Sequence, residues 1–195
     1  MKAKAAPRET PTLAFASAKA FATWLGKNHD RSTGIWLKLA KKGGPPSVTY
    51  AEALDAALCH GWIDGQKKAL DEAWWLQKFG PRGPRSIWSK INTQKAEALI
   101  AGGHMKVAGR AAIEAARADG RWAAAYDSPR TSKVPDDFQA ALDAHAGAAK
   151  FWATLNAANR YAVLWRIQTA KKSETRARRI ADLTAMLGRE EKLHP

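Results

Sequence analysis

The stretch FGPRGPRSIWSKINTQKAEAL, which begins at Phe79, concentrates residue types that bind anions. Pro81 and Pro84 restrict its first part to extended conformations and reduce the entropy that is lost when the loop is ordered. Arg82 and Arg85 are expected to project from this loop, and each planar guanidinium can hold two oxygens of a phosphate or a carboxylate. The first part of the stretch therefore predicts an anion-binding loop.

The second part of the stretch predicts the start of a helix. Ser86 or Ser89 would cap this helix, whose free backbone N–H groups and positive dipole end would face the loop arginines. Trp88 offers a face for stacking an aromatic ring or a base, and Lys90 adds a cation. The alternative is a solvated loop whose serine caps the helix and whose tryptophan packs inward.

The segment CHGWIDGQKK carries the carboxylate that we single out for catalysis. Trp62, Asp64 and Gln66 share one face of a predicted strand. Asp64 is expected to order an arginine of the following loop, or to act as a general base if it is desolvated. A turn-forming Asp-Gly pair or a structural salt bridge is the alternative. Cys59 and His60 diverge by about 100° on a helix and form no nucleophile–base pair.

A third cluster of candidate residues lies in AKKSETRARRI. Lys171 and Lys172 close one predicted helix, and Ser173 caps the next. Arg176 and Arg179 lie on one side of that second helix, where they can hold a phosphate together with the lysines. The alternative is a solvated basic face with internal ion pairs to the acidic residues Asp136, Asp137 and Asp182.

The spacing of histidines and glycines predicts neither a metal site nor a cofactor site. No two histidines lie three or four residues apart, as a metal site on one helix would require. No GxGxxG, GxxxxGK[ST] or GxSxG motif is present. The five histidines are His29, His60, His104, His145 and His194.

The positive charge is concentrated in two segments. The chain has 32 basic and 18 acidic residues, a formal net charge of +14. Lys78–Lys95 holds five basic residues and no acid, and Arg160–Arg179 holds seven basic residues against Glu174 alone. Such a surface attracts polyanions and repels cations. We therefore expect an anionic partner, with nucleic acid as the simplest case.

The remaining composition indicates where the protein acts. A single cysteine, Cys59, rules out an internal disulfide and is typical of a reducing compartment. The basic N-terminus has no apolar run long enough for a signal peptide. No apolar run reaches the roughly 18 residues that a membrane span needs. These features predict a cytoplasmic protein.

Hydrophobic periodicity predicts an α+β chain of two lobes. Residues 1–13 are interpreted as a flexible basic tail, 14–126 as an α+β lobe with a small antiparallel sheet, and 134–195 as an all-helical lobe. The predicted sheet has three or four strands, including 35–40 and a hairpin of 62–70 with 73–79. The predicted helices are 17–28, one that begins at a capping box at 49–52, one that ends near 101, 107–119, 135–145, 148–155, 157–171 and 174–192.

Several motifs together resemble a known family. These motifs are GIWLKLAKKG, SVTYAEALDAALCHGWIDGQKK, FGPRGPRSIWSKIN, VPDDFQAALDA and AKKSETRARRI. They resemble the YdeI/OmpD-associated family, also labelled bacteriocin-protection proteins, from about residue 15 to 195. The part from about Val134 to Leu187 is similar to the domain that gives the family its name. The resemblance implies no particular reaction or cofactor, and the label points to tolerance of bacteriocins or cationic peptides.

Three classes of function remain open from the sequence. The first is a binding protein for an anionic partner, either nucleic acid or a phosphorylated small molecule. The second is a protein-interaction module that uses exposed tryptophans as anchors. The third is a small enzyme of unrecognised chemistry around Asp64. The candidate anchors are Trp74, Trp75, Trp152 and Trp165.

Overall fold

The computed structural model describes residues 9–195, which divide into two compact units. The first unit contains residues 9–86 and 92–123, and the second contains 87–91 and 124–195. The short segment 87–91 thus joins the second unit although it lies within the first lobe of the sequence prediction. Residues 1–8 of the predicted basic tail lie outside the described residues.

The strands lie in the N-terminal half and the C-terminal half is helical, which confirms the α+β class. The strands are β1 (Thr12–Ala14), β2 (Ile35–Ala40), β3 (Trp62–Ala69) and β4 (Trp74–Pro81). The helices among them and directly after them are α1 (Ala18–Asn28), α2 (Tyr50–Cys59), α3 (Lys90–Ala101) and α4 (Val107–Ala118). The remaining helices are α5 (Asp136–Asp143), α6 (Ala146–Thr154), α7 (Ala157–Gln168) and α8 (Ser173–Gly188).

The four strands form one mixed sheet in the order β1-β2-β4-β3. The pairs β2–β4 and β4–β3 are antiparallel, as predicted, whereas β1 runs parallel to β2. Thr12 and Leu13 therefore form a strand and do not continue the predicted tail. A strand of three residues is too short to show the alternation on which a sequence prediction depends.

Helices α1 and α2 cover one face of the sheet, called here the covered face. Ser17 accepts a hydrogen bond from the Ala20 N–H and caps α1, and Thr49 caps α2 through the predicted capping box. Phe21 of α1 is fully buried and its ring lies 5.9 Å from that of Phe79 on β4. Every second residue of β2 is buried on this face: Ile35, Leu37 and Leu39.

A β-bulge interrupts the pairing of β3 with β4. Asp64 pairs with Phe79 but Lys67 pairs with Gln77, so the β3 strand contains one additional residue between these positions. The buried Gln77 amide donates to the Gly65 carbonyl at 2.8 Å and to the Gln66 carbonyl at 3.3 Å. The prediction that Gln66 shares a face with Asp64 is wrong, because the extra residue changes the alternation.

The second unit packs four helices around an apolar core. Phe138, Leu142, Ile167 and Leu187 of α5, α7 and α8 are almost completely buried in it. Helix α7 ends at Gln168, three residues before the predicted end. The N-cap of α8 is Lys172 and not Ser173.

A substitution at Gly109 of α4 tests how closely α4 packs against the end of α2. A Cβ at this position would lie 2.7 Å from the Leu58 carbonyl oxygen and would also overlap the Cys59 carbonyl oxygen. Alanine normally stabilises a helix interior by about 1 kcal/mol relative to glycine. Here we expect Gly109→Ala to lower the free energy of unfolding by roughly 1–3 kcal/mol, because the backbones must separate. Urea unfolding followed by circular dichroism measures the change.

Gly147→Ala in α6 is the matched control. Its Cβ would approach the His145 ring only to 3.6 Å, an ordinary contact. We expect this variant to be as stable as the wild type or more stable. An equal loss of stability in both variants would contradict the steric explanation.

Candidate anion-binding site

The predicted arginine loop is more enclosed than the sequence indicates. The Nε and Nη2 atoms of Arg82 are buried, so this side chain does not project from the loop as predicted. Arg85 is exposed and, within residues 9–195, forms no ion pair with a carboxylate. Ser86 accepts a hydrogen bond from the Gly83 N–H at 3.1 Å, and its carbonyl accepts one from Arg121 at 2.9 Å. The loop thus keeps one arginine in a position to meet a ligand.

The helix after the loop does not contribute in the predicted way. Helix α3 begins at Lys90, directly after Ser89, so Ser86 is too far from its start to cap it. Trp88 is only 1% exposed and has no free face for stacking, because it packs inward as the alternative interpretation held. The Lys90 ammonium lies 2.9 Å from a carboxylate oxygen of Asp127, which neutralises its charge.

The candidate general base is held by a tyrosine and not by an arginine. Asp64 is half-buried on the covered face and accepts a hydrogen bond of 2.8 Å from the Tyr50 hydroxyl at the start of α2. Trp62 is buried on the same face and donates its indole N–H to the His29 carbonyl at 3.0 Å. The structure therefore keeps Trp62 and Asp64 together and gives both of them internal partners.

Two arginines of the third cluster stabilise the helical unit. Arg176 donates to both carboxylate oxygens of Asp137, at 2.6 and 2.9 Å, and to the Ile167 carbonyl at 3.1 Å. Arg179 donates to the Arg166 carbonyl. Both guanidinium groups thus satisfy carbonyls at the end of α7, where cations also interact favourably with the helix dipole.

The phosphate site predicted at this cluster is therefore not formed as expected. Its two arginines are occupied within the unit, which is the alternative that the sequence left open. Lys171 and Lys172 remain exposed at the surface. Internal carbonyls and carboxylates compete directly with a ligand for the same donors, so a free phosphate gains little there.

The structure brings other basic residues together on the uncovered face of the sheet, called here the open face. Trp36 and Lys38 of β2 point to this face because their neighbours on both sides are buried on the covered face. Trp74, Leu76 and Lys78 of β4 point the same way, since Phe79 and Gln77 face the helices. Lys68 of β3 joins them because it pairs with Leu76.

The aromatic and basic residues of the open face interleave. The Lys38 ammonium lies 4.4 Å from the centre of the Trp74 ring, and the Lys68 ammonium lies 4.3 Å from the centre of the Trp36 ring. Lys78 also approaches Trp36, at 5.9 Å. These are cation–π contacts, each of which contributes about 0.5–1 kcal/mol of attraction near a protein surface. The three ammonium groups therefore stay close to the ring faces in the free protein.

No carboxylate of the sheet neutralises this positive charge. Asp64 is the one acidic residue in the four strands, and it lies on the covered face. By contrast, two lysines of the basic segment after β4 are paired: Lys90 with Asp127 and Lys95 with Asp55, the latter at 2.7 Å. The open face is thus a basic surface with two partly exposed tryptophans.

Two hollows offer further candidate sites, and the first of them shares Lys68 with the open face. One, of about 390 Å³, lies at the hairpin end of the sheet and is lined by Lys41, Lys67, Lys68, Ala69 and Trp75. The other, of about 700 Å³, lies in the second unit and is lined mainly by apolar groups of α7 and the segment before α5. Trp165 lines the second hollow and is 37% exposed. The first hollow suits an anion and the second an apolar group.

His29 and His60 come together although the sequence separates them. Their ring centres lie 5.6 Å apart, and each Nδ1 is within 3.0 Å of the carbonyl four residues earlier. Burial lowers the pKa of His60, and burial likewise raises the pKa of the Cys59 thiol. Within residues 9–195, no cluster of three or more His, Cys, Asp or Glu side chains is placed to hold a metal ion.

Fold and site together define a two-unit protein with a basic, tryptophan-bearing sheet face in the first unit and a helical second unit. Residues 13–112 match the family model described as a domain of unknown function, DUF8412. Residues 131–190 match the model described as "Bacteriocin-protection, YdeI or OmpD-Associated". The chain belongs to the DUF8412 family and carries a YdeI/OmpD-associated domain in its helical part.

The second match confirms the family resemblance for the C-terminal part, with bounds close to those predicted. The N-terminal motifs belong to a separate family model. No curated protein and no solved structure matches the chain. In the part of the chain that the structure describes, none of the helices has the length and apolar character to cross a membrane.

The contribution of the Asp137–Arg176 ion pair to stability can be tested through its pH dependence. The hydrogen bonds from Arg176 lower the pKa of the Asp137 carboxyl from its ordinary value of 3.8. The pair therefore makes its full contribution to the free energy of unfolding above pH values near the ordinary pKa. This contribution is lost as the pH falls through the lowered pKa. We expect Asp137→Asn to reduce stability by on the order of 1 kcal/mol near neutral pH, since the pair is partly exposed.

Urea unfolding at a series of pH values measures this contribution. The difference between wild type and Asp137→Asn should stay constant down to about pH 5 and shrink in more acidic solution. Asp136→Asn, which changes the adjacent exposed carboxylate, is the control and should differ little from wild type at any pH. A difference that grows on acidification would show that the assigned pair is wrong.

Proposed function

We propose that the protein binds an anionic partner through the open face, with nucleic acid as the main candidate. The observation that carries the proposal is the presence of Lys38, Lys68 and Lys78 on one sheet face that has no carboxylate. Lysine ammonium groups bind phosphates as point charges. A nucleic acid presents many phosphates at once and releases counterions when it binds.

The arginine loop extends this surface in sequence. It follows β4 directly, and Arg85 is exposed seven residues after Lys78. The arginine at 85 therefore adds one cation beyond the end of the strand that carries Lys78. The positive net charge of the whole chain supports the same partner class, because it raises the local concentration of polyanions.

A phosphorylated small molecule is the alternative anionic partner. The hollow at the hairpin end has three lysines and Trp75, a combination that suits a phosphate joined to a flat ring. Its volume of about 390 Å³ lies in the range of small-ligand sites. Lys68 belongs to both surfaces, so loss of mononucleotide binding in Lys67→Gln, which changes the hollow but not the open face, distinguishes the two.

Replacing the three lysines of the open face tests the main proposal. We expect the triple variant Lys38→Gln, Lys68→Gln, Lys78→Gln to bind single-stranded oligonucleotide more weakly than wild type. The logarithm of the binding constant falls linearly with the logarithm of the salt concentration, with a slope of about −0.7 for each phosphate contact. Loss of three contacts should therefore make this slope less steep by roughly 2 units. Fluorescence anisotropy of a labelled oligonucleotide across a salt series measures both quantities.

The matched control removes the same number of positive charges from positions outside the open face. Lys19, Lys27 and Lys150 are exposed helical lysines, and their triple replacement by glutamine should change the slope far less. Equal losses in the two triple variants would show that only total charge matters. Absence of binding by wild type to DNA, RNA and heparin at low salt would refute the proposal.

Protein interaction through exposed tryptophans is the second candidate function. It is favoured by Trp165, which is 37% exposed beside the apolar hollow of the second unit. Tyr126 meets Trp165 edge to face at 6.3 Å, so the aromatic wall is held in place. If a protein partner docks there, Trp165→Ser should lose a complex that survives nuclease treatment in size-exclusion chromatography, whereas the open-face variant should retain it.

A further inference from the structure

We propose that the partner of the open face is single-stranded nucleic acid, with unstacked bases on Trp36 and Trp74 and the linking phosphates on Lys38 and Lys68. This inference rests on the proposed function and specifies its substrate class. It depends on the order in which rings and ammonium groups follow one another across the sheet. Single strands are commonly bound by aromatic side chains that stack bases and by cations that follow the backbone.

The strand register places the two lysines in one row, midway along the strands between the rows that carry the two rings. Trp36 pairs with Lys78 across the sheet, and Trp74 pairs with Ala40. The row between these two pairs contains Lys38 and Lys68, which both pair with Leu76. A chain that crosses from one ring to the other must therefore pass this row, and it meets the two ammonium groups at the rings themselves, where they lie in the free protein.

The separation of the rings distinguishes single strands from duplexes. Trp36 and Ala40 lie four residues apart along β2, about 13 Å at the usual rise of a strand. Stacked bases of a duplex follow one another at about 3.4 Å and expose their edges, not their faces. The bases that meet Trp36 and Trp74 must therefore be unstacked from each other, which a single strand permits.

The cation–π contacts of the free protein show how the site can exchange partners. A base that stacks on Trp36 takes the place of the Lys68 ammonium, which lies 4.3 Å from the ring centre. The displaced ammonium is then close to the phosphates on either side of that base. Lys38 and Trp74 are related in the same way, at 4.4 Å. Each lysine exchanges a weak ring contact for a phosphate contact, and the ring keeps a partner.

The chemistry of the open face also predicts little preference for sequence. Its rings stack on any base because every base has a π face. The cationic side chains that contact the rings are lysines, which donate to phosphates and to many base acceptors alike. Leu76 is buried between the two lysines and adds only apolar surface. We therefore expect similar affinities for mixed and homopolymeric single strands.

The experiment compares three polyanions with a set of tryptophan variants. Wild type, Trp36→Leu, Trp74→Leu and Trp36→Tyr are titrated against a labelled single strand, its duplex and heparin at one salt concentration. Trp165→Leu is the control for loss of an exposed tryptophan outside the open face. Thermal melting followed by circular dichroism selects variants that fold like the wild type.

We expect the single strand to bind at least tenfold more tightly than the duplex. Loss of one stacking ring should weaken single-strand binding by roughly 5- to 150-fold, the range known for base–aromatic stacking. Heparin has no bases, so its affinity should be unchanged in the same variants. Trp36→Tyr should restore most of the single-strand affinity, since the smaller ring still stacks.

Two different failures are separable in this design. If duplex and heparin bind as tightly as the single strand and the leucine variants change nothing, the inference is overturned while the proposed function stands. If none of the three polyanions binds the wild type at low salt, the proposed function fails and the inference fails with it. A loss of heparin binding in Trp36→Leu also contradicts stacking, because it shows that the ring positions the lysines only.

Discussion

The register of β2 against β4 is the constraint on which the other properties of the first unit depend. Ile35, Leu37 and Leu39 are buried beneath α1 and α2, and their burial forces the intervening side chains to the opposite face. A slip of one residue would expose this apolar set and bury Lys38. The hydrophobic core therefore determines which tryptophans and lysines share the open face.

Arginine and lysine have different roles in the described part of the chain. Arg176 and Arg179 donate to carbonyls at the end of α7, where a planar group with several donors can satisfy two partners at once. The lysines of the open face meet only ring faces, so their ammonium groups remain available to other anions. Two of the arginines in the helical unit are thus engaged in contacts within that unit.

Much of the fold could be predicted because its signals are local. The capping box at Thr49, the alternation of β2 and the hairpin of β3 with β4 appear as predicted. The short strand β1 and the bulge before Lys67 were missed, since three residues show no periodicity and an extra residue leaves no mark in composition. The candidate site was predicted less well, because Arg82 and Trp88 were judged by residue type and their burial depends on distant contacts.

The order of residues alone specifies the excess of positive charge, the start of the helices that Ser17 and Thr49 cap, and the alternation that divides β2 into two faces. These properties depend on residue type and on neighbours a few positions away, which is the range over which helix caps and strand pleats act. Only the folded arrangement of the chain brings the Lys68 ammonium over the Trp36 ring and the Asp137 carboxylate against the Arg176 guanidinium. Such pairs join residues more than 30 positions apart, and only the packing of the core sets the distance between them.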